Sequence, residues 1–178
     1  AKDEYGNFLP LIFKSFGDYK PGFYVYLTVP FVFLFGLNEL SVRLPSIILG
    51  SLTPLFFYYL IVTINPKKNK LALLSALILA ITPFHIHFSR AAWETNILTF
   101  QLVLSSLFFY KFLKNNKKVN LLISSLIFGL SLYTYQSAKL ISLLLIINLL
   151  VINIKKITNQ LNKLVYFLIP LVIFSLPI

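Results

Sequence analysis

Long apolar segments alternate with short polar loops along most of this sequence. Six segments have lengths suited to membrane crossing: residues 43–64, 71–88, 96–112, 119–135, 140–154 and 164–178. A helix of about 20 apolar residues crosses the roughly 30 Å hydrocarbon core of a bilayer. The pattern therefore predicts an all-α polytopic bundle of about six transmembrane helices.

A seventh apolar stretch, residues 22–35, is shorter and contains Pro30. Because it is too short to cross the hydrocarbon core comfortably, it predicts a helix that lies at the membrane interface or in a re-entrant position. Residues 1–42 would then form an external loop with this interfacial helix. Residues 43–178 would form the transmembrane helices.

The composition excludes a water-soluble enzyme. Hydrophobic residues make up 58% of the 178 residues and charged residues only 12%, whereas about a quarter of a soluble domain is charged. Cysteine is absent, which excludes disulfides, thiolate metal sites and cysteine nucleophiles. Methionine is also absent and the sequence stops within an apolar run. We therefore expect an internal piece of a larger protein, with the first span and the C-terminal part lying elsewhere.

The net charge of +11 is distributed unevenly along the chain. Ten of the sixteen basic residues lie in the loops at 65–70, 111–118 and 155–163, which contain no acidic residue. Because cytoplasmic loops collect Lys and Arg, these loops are predicted to face the cytoplasm and all five acidic residues the outside. No basic run is interleaved with exposed aromatic residues, so nucleic acid is not expected as a partner.

Ionisable side chains in a membrane protein suggest function by default, and here they gather in two external loops. In the first loop, Asp3 and Glu4 have the chemistry of a general base or of metal ligands, or belong to a solvated loop. Lys20 precedes Pro21, a residue that suits the first turn of the following helix. An ammonium held there would attract a phosphate. The alternative is a lysine that snorkels to the interface.

Two pairs of oppositely charged residues are spaced by four positions. Arg43 follows Glu39, and Glu94 follows Arg90 in the second external loop. On a helix each pair would lie on one face and form an ion pair. The alternative is that these side chains act on a substrate.

The second external loop also contains His85 and His87, which would lie about 200° apart around a helix. They would hold one metal ion only if this stretch were extended. Gln136 and Lys139, in the next external turn, either reach the same cavity or provide ordinary interface polarity. From the residues alone, the sequence indicates a polytopic membrane protein with acidic and basic groups on its outer face.

A family resemblance is carried by three strings that follow one another between residues 3 and 139: DEYGNFLPLIFKSFGDYKPGFYVYLTVPFVFLFGLNELSVRLPS, ITPFHIHFSRAAWETNILTF and FGLSLYTYQSAKL. They resemble the membrane glycosyltransferases of the GT-C superfamily. Within it, the sequence is similar to the branch of protein O-mannosyltransferases and lipid A aminoarabinose transferases. The resemblance implies helices along the membrane surface in the first external loop, in agreement with residues 22–35.

The resemblance also implies roles for individual residues. Lys20, in DYKP, and Arg43, in VRLP, would contact the donor phosphate, and Glu94, in RAAWE, would be an acid of the catalytic cavity. Further candidates for substrate binding are Asp3, Glu4, Arg90 and Gln136. The principal catalytic aspartate would lie upstream of residue 1, so this piece alone is expected to be inactive.

Enzymes of this kind move a sugar from a polyprenyl-phosphate donor to a protein, lipid or glycan acceptor outside the cytoplasmic membrane, usually with inversion. The implied partners are that donor, the acceptor and membrane lipids. No metal ligands are assigned, and a divalent metal stays open. The rival interpretation is a polytopic transporter or lipid flippase subunit, which predicts charges within the spans. The six segments are nearly free of charge except at their ends. A non-catalytic membrane scaffold is a third interpretation, and it would need no clustered acids.

Overall fold

The structure is a computed structural model, and it describes residues 6, 8–15, 17–158 and 160–176. Asp3 and Glu4 lie outside the described residues, so their roles stay predictions. Almost all regular structure in the described part is helical, and one two-stranded sheet precedes the helices. This architecture confirms the all-α fold class.

Nine helices follow the sheet in the described part of the chain. Their bounds are α1 Phe23–Phe35, α2 Glu39–Ile64, α3 Asn69–Ile81, α4 Pro83–Arg90, α5 Glu94–Asn115, α6 Lys118–Ser131, α7 Ala138–Ile152, α8 Ile154–Thr158 and α9 Leu161–Ser175.

The N-terminal segment forms a β-hairpin in front of the first helix. Strands β1 (Ile12–Ser15) and β2 (Asp18–Pro21) pair antiparallel. Gly17, in the turn between them, has a φ of 85°, a conformation that glycine adopts without steric cost. Lys20 and Pro21 belong to β2, so the prediction that Pro21 occupies the first turn of a helix is wrong.

Helix α1 begins after Gly22, whose backbone N–H donates to the carbonyl oxygen of Leu11 (2.8 Å). A Cβ atom at Gly22 would lie 2.8 Å from the Phe13 ring, so a larger residue here would displace that ring. The helix has 13 residues and contains Pro30. At about 1.5 Å per residue it is about 20 Å long, shorter than the hydrocarbon core. Its length agrees with a place at the interface, which stays a prediction.

Helix α2 is 26 residues long and begins with a capping box. The Asn38 Oδ1 atom accepts from the backbone N–H of Ser41 (2.9 Å), and Ser41 Oγ accepts from the backbone N–H of Asn38 (3.2 Å). This reciprocal pair satisfies donors that the first turn of a helix leaves free. Helix α2 packs along α5, and both are long and apolar enough to cross a bilayer.

The predicted span at 71–88 is divided into α3 and α4, whose axes are bent by 57°. Pro83 is the first residue of α4. Proline disfavours helical geometry in the residue before it, and Thr82 is accordingly extended, with φ −62° and ψ 122°. The prediction of one continuous helix here is wrong.

The last three predicted spans correspond to α6, α7 and α9, which have 14 or 15 residues each. These helices are about 21 to 23 Å long, less than the hydrocarbon thickness. Within the described residues, two helices meet the length and apolarity needed for crossing, or three if α3 and α4 count as one span. The total of six crossings stays a prediction.

The hydrophobic core lies where α5, α6 and α9 meet, and buried residues of α7 and α8 belong to it. Phe109, Phe112, Phe128 and Phe167 are almost completely buried there, and Phe167 makes edge-to-face contacts with Phe109 and Phe128. Such contacts between aromatic rings add to the stability gained by burial. The core therefore joins helices near the end of the bundle that carries the lysine-rich loops.

Candidate functional site

A cavity of about 580 Å³ lies between the start of α2 and the end of α4. Arg43, the fifth residue of α2, and Arg90, the last residue of α4, both line it, together with His87. The remaining lining residues are Pro83, Ile86 and Ala91. No carboxylate of the described part of the chain lines this cationic cavity. Its two guanidinium groups favour an anion, because Arg presents paired N–H donors to phosphate or carboxylate.

Arg43 forms the ion pair with Glu39 that the sequence predicts. The guanidinium Nη2 and carboxylate Oε2 atoms are 3.4 Å apart, and the side chains are 50% and 84% exposed. Exposed pairs of this kind contribute about 0 to 1 kcal/mol. An incoming anion would therefore displace Glu39 from Arg43 at little energetic cost.

Arg90 and Glu94 do not share a helical face, so that prediction is wrong. Helix α4 ends at Arg90, Ala91 is extended, and α5 begins at Glu94. No ion pair joins the two side chains within the described ranges. The helix dipole favours a carboxylate in the first turn of a helix, so Glu94 stabilises the start of α5 at this position.

A buried network of polar side chains holds α4 and the start of α5 against α2. Asn96, 2% exposed, donates from Nδ2 to the carbonyl oxygen (2.9 Å) and to Oγ (3.0 Å) of Ser46. Ser46 Oγ donates to the carbonyl oxygen of Phe88 (3.1 Å). Ser89 Oγ donates to the His85 carbonyl oxygen (2.7 Å) and lies 3.4 Å from Asn96 Oδ1. Because unpaired buried polar groups are costly, this network fixes the relative positions of the three helices.

Gly50 is a point of close approach between α2 and α4. The His85 Nε2 atom lies 3.0 Å from the Gly50 carbonyl oxygen. A Cβ atom at Gly50 would lie 2.7 Å from Ser89 Cβ and 2.8 Å from Asn96 Nδ2. Only glycine allows this packing, so Gly50 helps to set the separation of the two helices that carry Arg43 and Arg90.

Glu94, the predicted cavity acid, interacts with α1. Tyr24 of α1 is buried, and its hydroxyl donates to the carbonyl oxygen of Val42 (2.9 Å). Burial raises the pKa of Tyr24 to about 12, and the negative charge of Glu94 adds to the rise. Glu94 is half-buried and is not among the residues that line the cationic cavity. Its described interaction is thus the electrostatic effect of its charge on the Tyr24 hydroxyl.

The raised pKa of Tyr24 gives a testable pH dependence. The folded chain holds this proton more tightly than the unfolded chain, so the ionisation of Tyr24 leaves stability unchanged below about pH 10 and lowers it as the pH rises further. An ultraviolet titration of tyrosinate should show that Tyr24→Phe removes a group that titrates near pH 12. The assignment fails if the difference between the two titrations is centred near pH 10 instead.

Gln136 contacts the strand that carries Lys20, away from the cationic cavity. The Gln136 Nε2 atom donates to the carbonyl oxygen of Tyr19 (2.7 Å), which joins the turn between α6 and α7 to β2. Both Lys20 and Gln136 are exposed, and neither lines the cationic cavity. The structure thus brings Arg43 and Arg90 to one cavity, and it joins Gln136 to the backbone of the residue that precedes Lys20.

His87 also lines the cationic cavity, although its sequence position suggested only a possible metal site shared with His85. The stretch is helical, and His85 is buried whereas His87 is exposed in the cavity. The spacing of three residues between His87 and Arg90 was the available signal, since residues three apart lie on one helical face. Within the described ranges, no group of three or more His, Asp or Glu side chains is placed to hold a metal ion.

Comparison with known proteins identifies the family. The sequence profile of the dolichyl-phosphate-mannose-protein mannosyltransferase family matches residues 19–178. No curated protein and no solved structure matches the chain. The matched region contains Lys20, Arg43, Arg90, Glu94 and Gln136, and it covers most of the chain. The chain therefore belongs to the dolichyl-phosphate-mannose-protein mannosyltransferase family and is a membrane glycosyltransferase.

Proposed function

We propose that the protein transfers a sugar from a polyprenyl-phosphate donor to a hydroxyl acceptor on the extracytoplasmic side of the membrane, with inversion at the anomeric carbon. The observation that carries the proposal is the convergence of Arg43 and Arg90 on one cavity. Family membership supports the general class of donor. The family description names a protein, and we propose a protein hydroxyl as the acceptor.

The reaction explains why cationic side chains are needed. The bond between the anomeric carbon and the phosphate oxygen breaks, and the lipid phosphate leaves with an additional negative charge. Guanidinium groups that hold the phosphate stabilise this charge more in the transition state than in the ground state. The acceptor hydroxyl attacks from the opposite face, which inverts the configuration, and a carboxylate accepts its proton. We propose that Glu94 is an acidic residue of the catalytic cavity at this end of the bundle.

The proposed side of the membrane follows from the direction of α2. Arg43 lies near the N-terminal end of this helix, and three lysines follow its C-terminal end: Lys67, Lys68 and Lys70. Because lysine-rich loops favour the cytoplasm, the opposite end of α2 and the cationic cavity would face outward.

The test is a transfer assay with the full-length protein in sealed vesicles of known orientation. Radiolabelled polyprenyl-phosphate mannose is supplied in the membrane, and a membrane-impermeant peptide rich in serine and threonine is added on one side. We expect labelled peptide only when the extracytoplasmic side faces the peptide, with an inverted linkage by NMR. Transfer from a nucleotide sugar alone, or only at the cytoplasmic side, would contradict the proposal.

Lys20 provides a separate prediction, since its contact with the donor phosphate rests on the resemblance. Replacement by Ala should lower transfer about 10- to 100-fold, the range expected for a lost hydrogen bond to a charged group. The matched control is Lys14→Ala. Lys14 pairs with Tyr19, whereas Lys20 pairs with Phe13, so the two lysines point to opposite faces of the hairpin. Equal activity of the two variants would remove Lys20 from the site.

A further inference from the structure

The lysine-rich end of the bundle brings two distant parts of the chain into contact. Lys163, in the first turn of α9, donates from Nζ to the Oδ1 atom of Asn116 (2.5 Å), the residue that follows α5. Asn116 has a φ of 57°, a left-handed conformation in which asparagine is enriched. Lys118, the first residue of α6, donates from Nζ to the Tyr166 hydroxyl of α9 (3.1 Å). The turn between α5 and α6 is thus fastened to α9 by two lysines.

The charges of this lysine pair, Lys118 and Lys163, are not compensated by an acid. Their partners are a phenol and an amide, both neutral. Segments 111–118 and 155–163 contain seven lysines and no acidic residue, and no ion pair joins these lysines to an acid in the described part of the chain. Helix α6 also has no acidic residue in its first turn, so the positive end of its dipole adds to the field. An ammonium carries three donors, which leaves each lysine able to bind an anion as well.

An exposed apolar surface of α9 leads away from the lysine pair toward the middle of the bundle. The Lys118 Nζ atom lies 4.7 Å from the centre of the Tyr166 ring, and aromatic rings of this kind suit the membrane interface. Tyr166, Ile169 and Ile173 follow one another at spacings of three and four, so they share one helical face, which we call the α9 stripe. They are 37%, 52% and 58% exposed. The stripe rises about 10 Å along α9, which gives a hydrocarbon chain a surface directly next to the charges.

We propose that the lysine pair binds the phosphate of an anionic phospholipid, with an acyl chain along the α9 stripe. Charge complementarity selects this lipid over a zwitterionic one, whose headgroup brings a second cation next to the lysines. The bound phosphate would bridge the turn after α5 to α9 and so strengthen that contact. Only the leaflet rests on the proposed function, which places the lysine-rich end in the cytoplasmic leaflet, where anionic lipids attract basic segments. The site is separate from the cationic cavity, which lies between α2 and α4.

The experiment measures lipid retention by the full-length protein, using native mass spectrometry in detergent with phosphatidylglycerol and phosphatidylcholine of identical chains. We expect a preference for phosphatidylglycerol of about tenfold. The double variant Lys118→Gln with Lys163→Gln should abolish the preference, whereas Lys118→Arg with Lys163→Arg should retain it because both charges stay. The matched control is Lys67→Gln with Lys70→Gln, which removes two charges from the exposed loop between α2 and α3 and should leave the preference unchanged. An equal loss in this control would overturn the proposal and indicate a general effect of net charge.

A phosphatidylglycerol probe with a photoactivatable group in its acyl chain locates the bound lipid and separates the possible occupants. Crosslinks should map to Ile169 and Ile173, and unlabelled phosphatidylglycerol should remove them, whereas inorganic phosphate at the same concentration should not. Displacement by inorganic phosphate would show a site for the free anion rather than for a lipid. Displacement by polyprenyl phosphate at a lower concentration than phosphatidylglycerol would assign the site to the donor. Either result would overturn the proposal, as would crosslinks that map only to helices other than α6 and α9.

A failure of this inference is distinguishable from a failure of the proposed function. If the glutamine variant of Lys118 and Lys163 keeps its preference for phosphatidylglycerol while Arg43→Gln loses transfer, the phospholipid site fails and the transfer reaction stands. If the preference depends on the lysine pair while Arg43→Gln and Arg90→Gln both retain full transfer, the phospholipid site stands and the proposed role of the cationic cavity fails.

Discussion

Replacing Arg90 with Gln is expected to lower sugar transfer about 100- to 1000-fold, the loss typical when one stabilising group for a transition-state charge is removed. Arg90 ends α4 and faces a cavity that Arg43 lines from α2. Gln retains hydrogen-bond donors but not the charge that balances the leaving phosphate. We expect a similar loss for Arg43→Gln. The measurement is the initial rate of transfer at saturating acceptor, with protein amounts matched.

Two further variants make this prediction specific. Arg90→Lys keeps the charge but loses the planar pair of donors, so it should retain more activity than Arg90→Gln while staying below the wild type. Lys67→Gln removes one positive charge from the exposed loop at the opposite end of α2 and should leave the rate unchanged. A rate for Arg90→Gln close to that of Lys67→Gln would show that the cavity does not hold the donor phosphate.

The second large effect is expected from Asn96→Leu, which keeps the approximate size of the side chain but removes its hydrogen bonds. The carbonyl oxygen and hydroxyl of Ser46 would lose the Asn96 amide as a donor, while the Ser89 hydroxyl would keep its bond to the His85 carbonyl oxygen. Each buried group left unpaired costs about 1 to 3 kcal/mol. We expect a lower thermal stability in detergent and a loss of transfer, because α4 and Arg90 would no longer be fixed against α2.

The control for Asn96→Leu is Thr99→Val, one turn along α5, where the exposed hydroxyl bonds only to the Thr95 carbonyl oxygen of its own helix. Gly50→Ala is the complementary variant. It keeps every hydrogen-bonding side chain but forces α2 and α4 apart, at a typical cost of about 1 to 3 kcal/mol for overpacking. If Asn96→Leu and Gly50→Ala unfold at the same temperature as Thr99→Val, the network does not hold the site together.

The helices themselves were predictable from the sequence, because long apolar runs identify membrane segments. The ion pair of Arg43 with Glu39 was predictable as well, since both residues lie within one helix at a spacing of four. The bend at Pro83 had a visible signal, a proline in the middle of an apolar run, but apolarity alone does not distinguish a straight helix from a broken one. The hairpin at Ile12–Ser15 and Asp18–Pro21 was missed because strands of four residues carry little periodicity.

The candidate site was only partly predictable. Arg43 and Arg90 were each singled out, but nothing in the sequence indicates that residues 47 positions apart line one cavity. That convergence depends on Gly50 and on the hydrogen bonds of Asn96, which are tertiary contacts. The predicted pair of Arg90 with Glu94 failed for the same reason, because the chain changes direction between them.

The hydrogen-bond network near the cavity and the aromatic core between α5, α6 and α9 share no residue. One holds helices together through a few directional bonds, and the other through ring packing and burial. Substitutions at Asn96 or Ser46 should therefore disturb the site without loss of the aromatic core. A variant that breaks the network should accordingly lose transfer while the rings of Phe109, Phe128 and Phe167 stay packed, which near-ultraviolet circular dichroism can check.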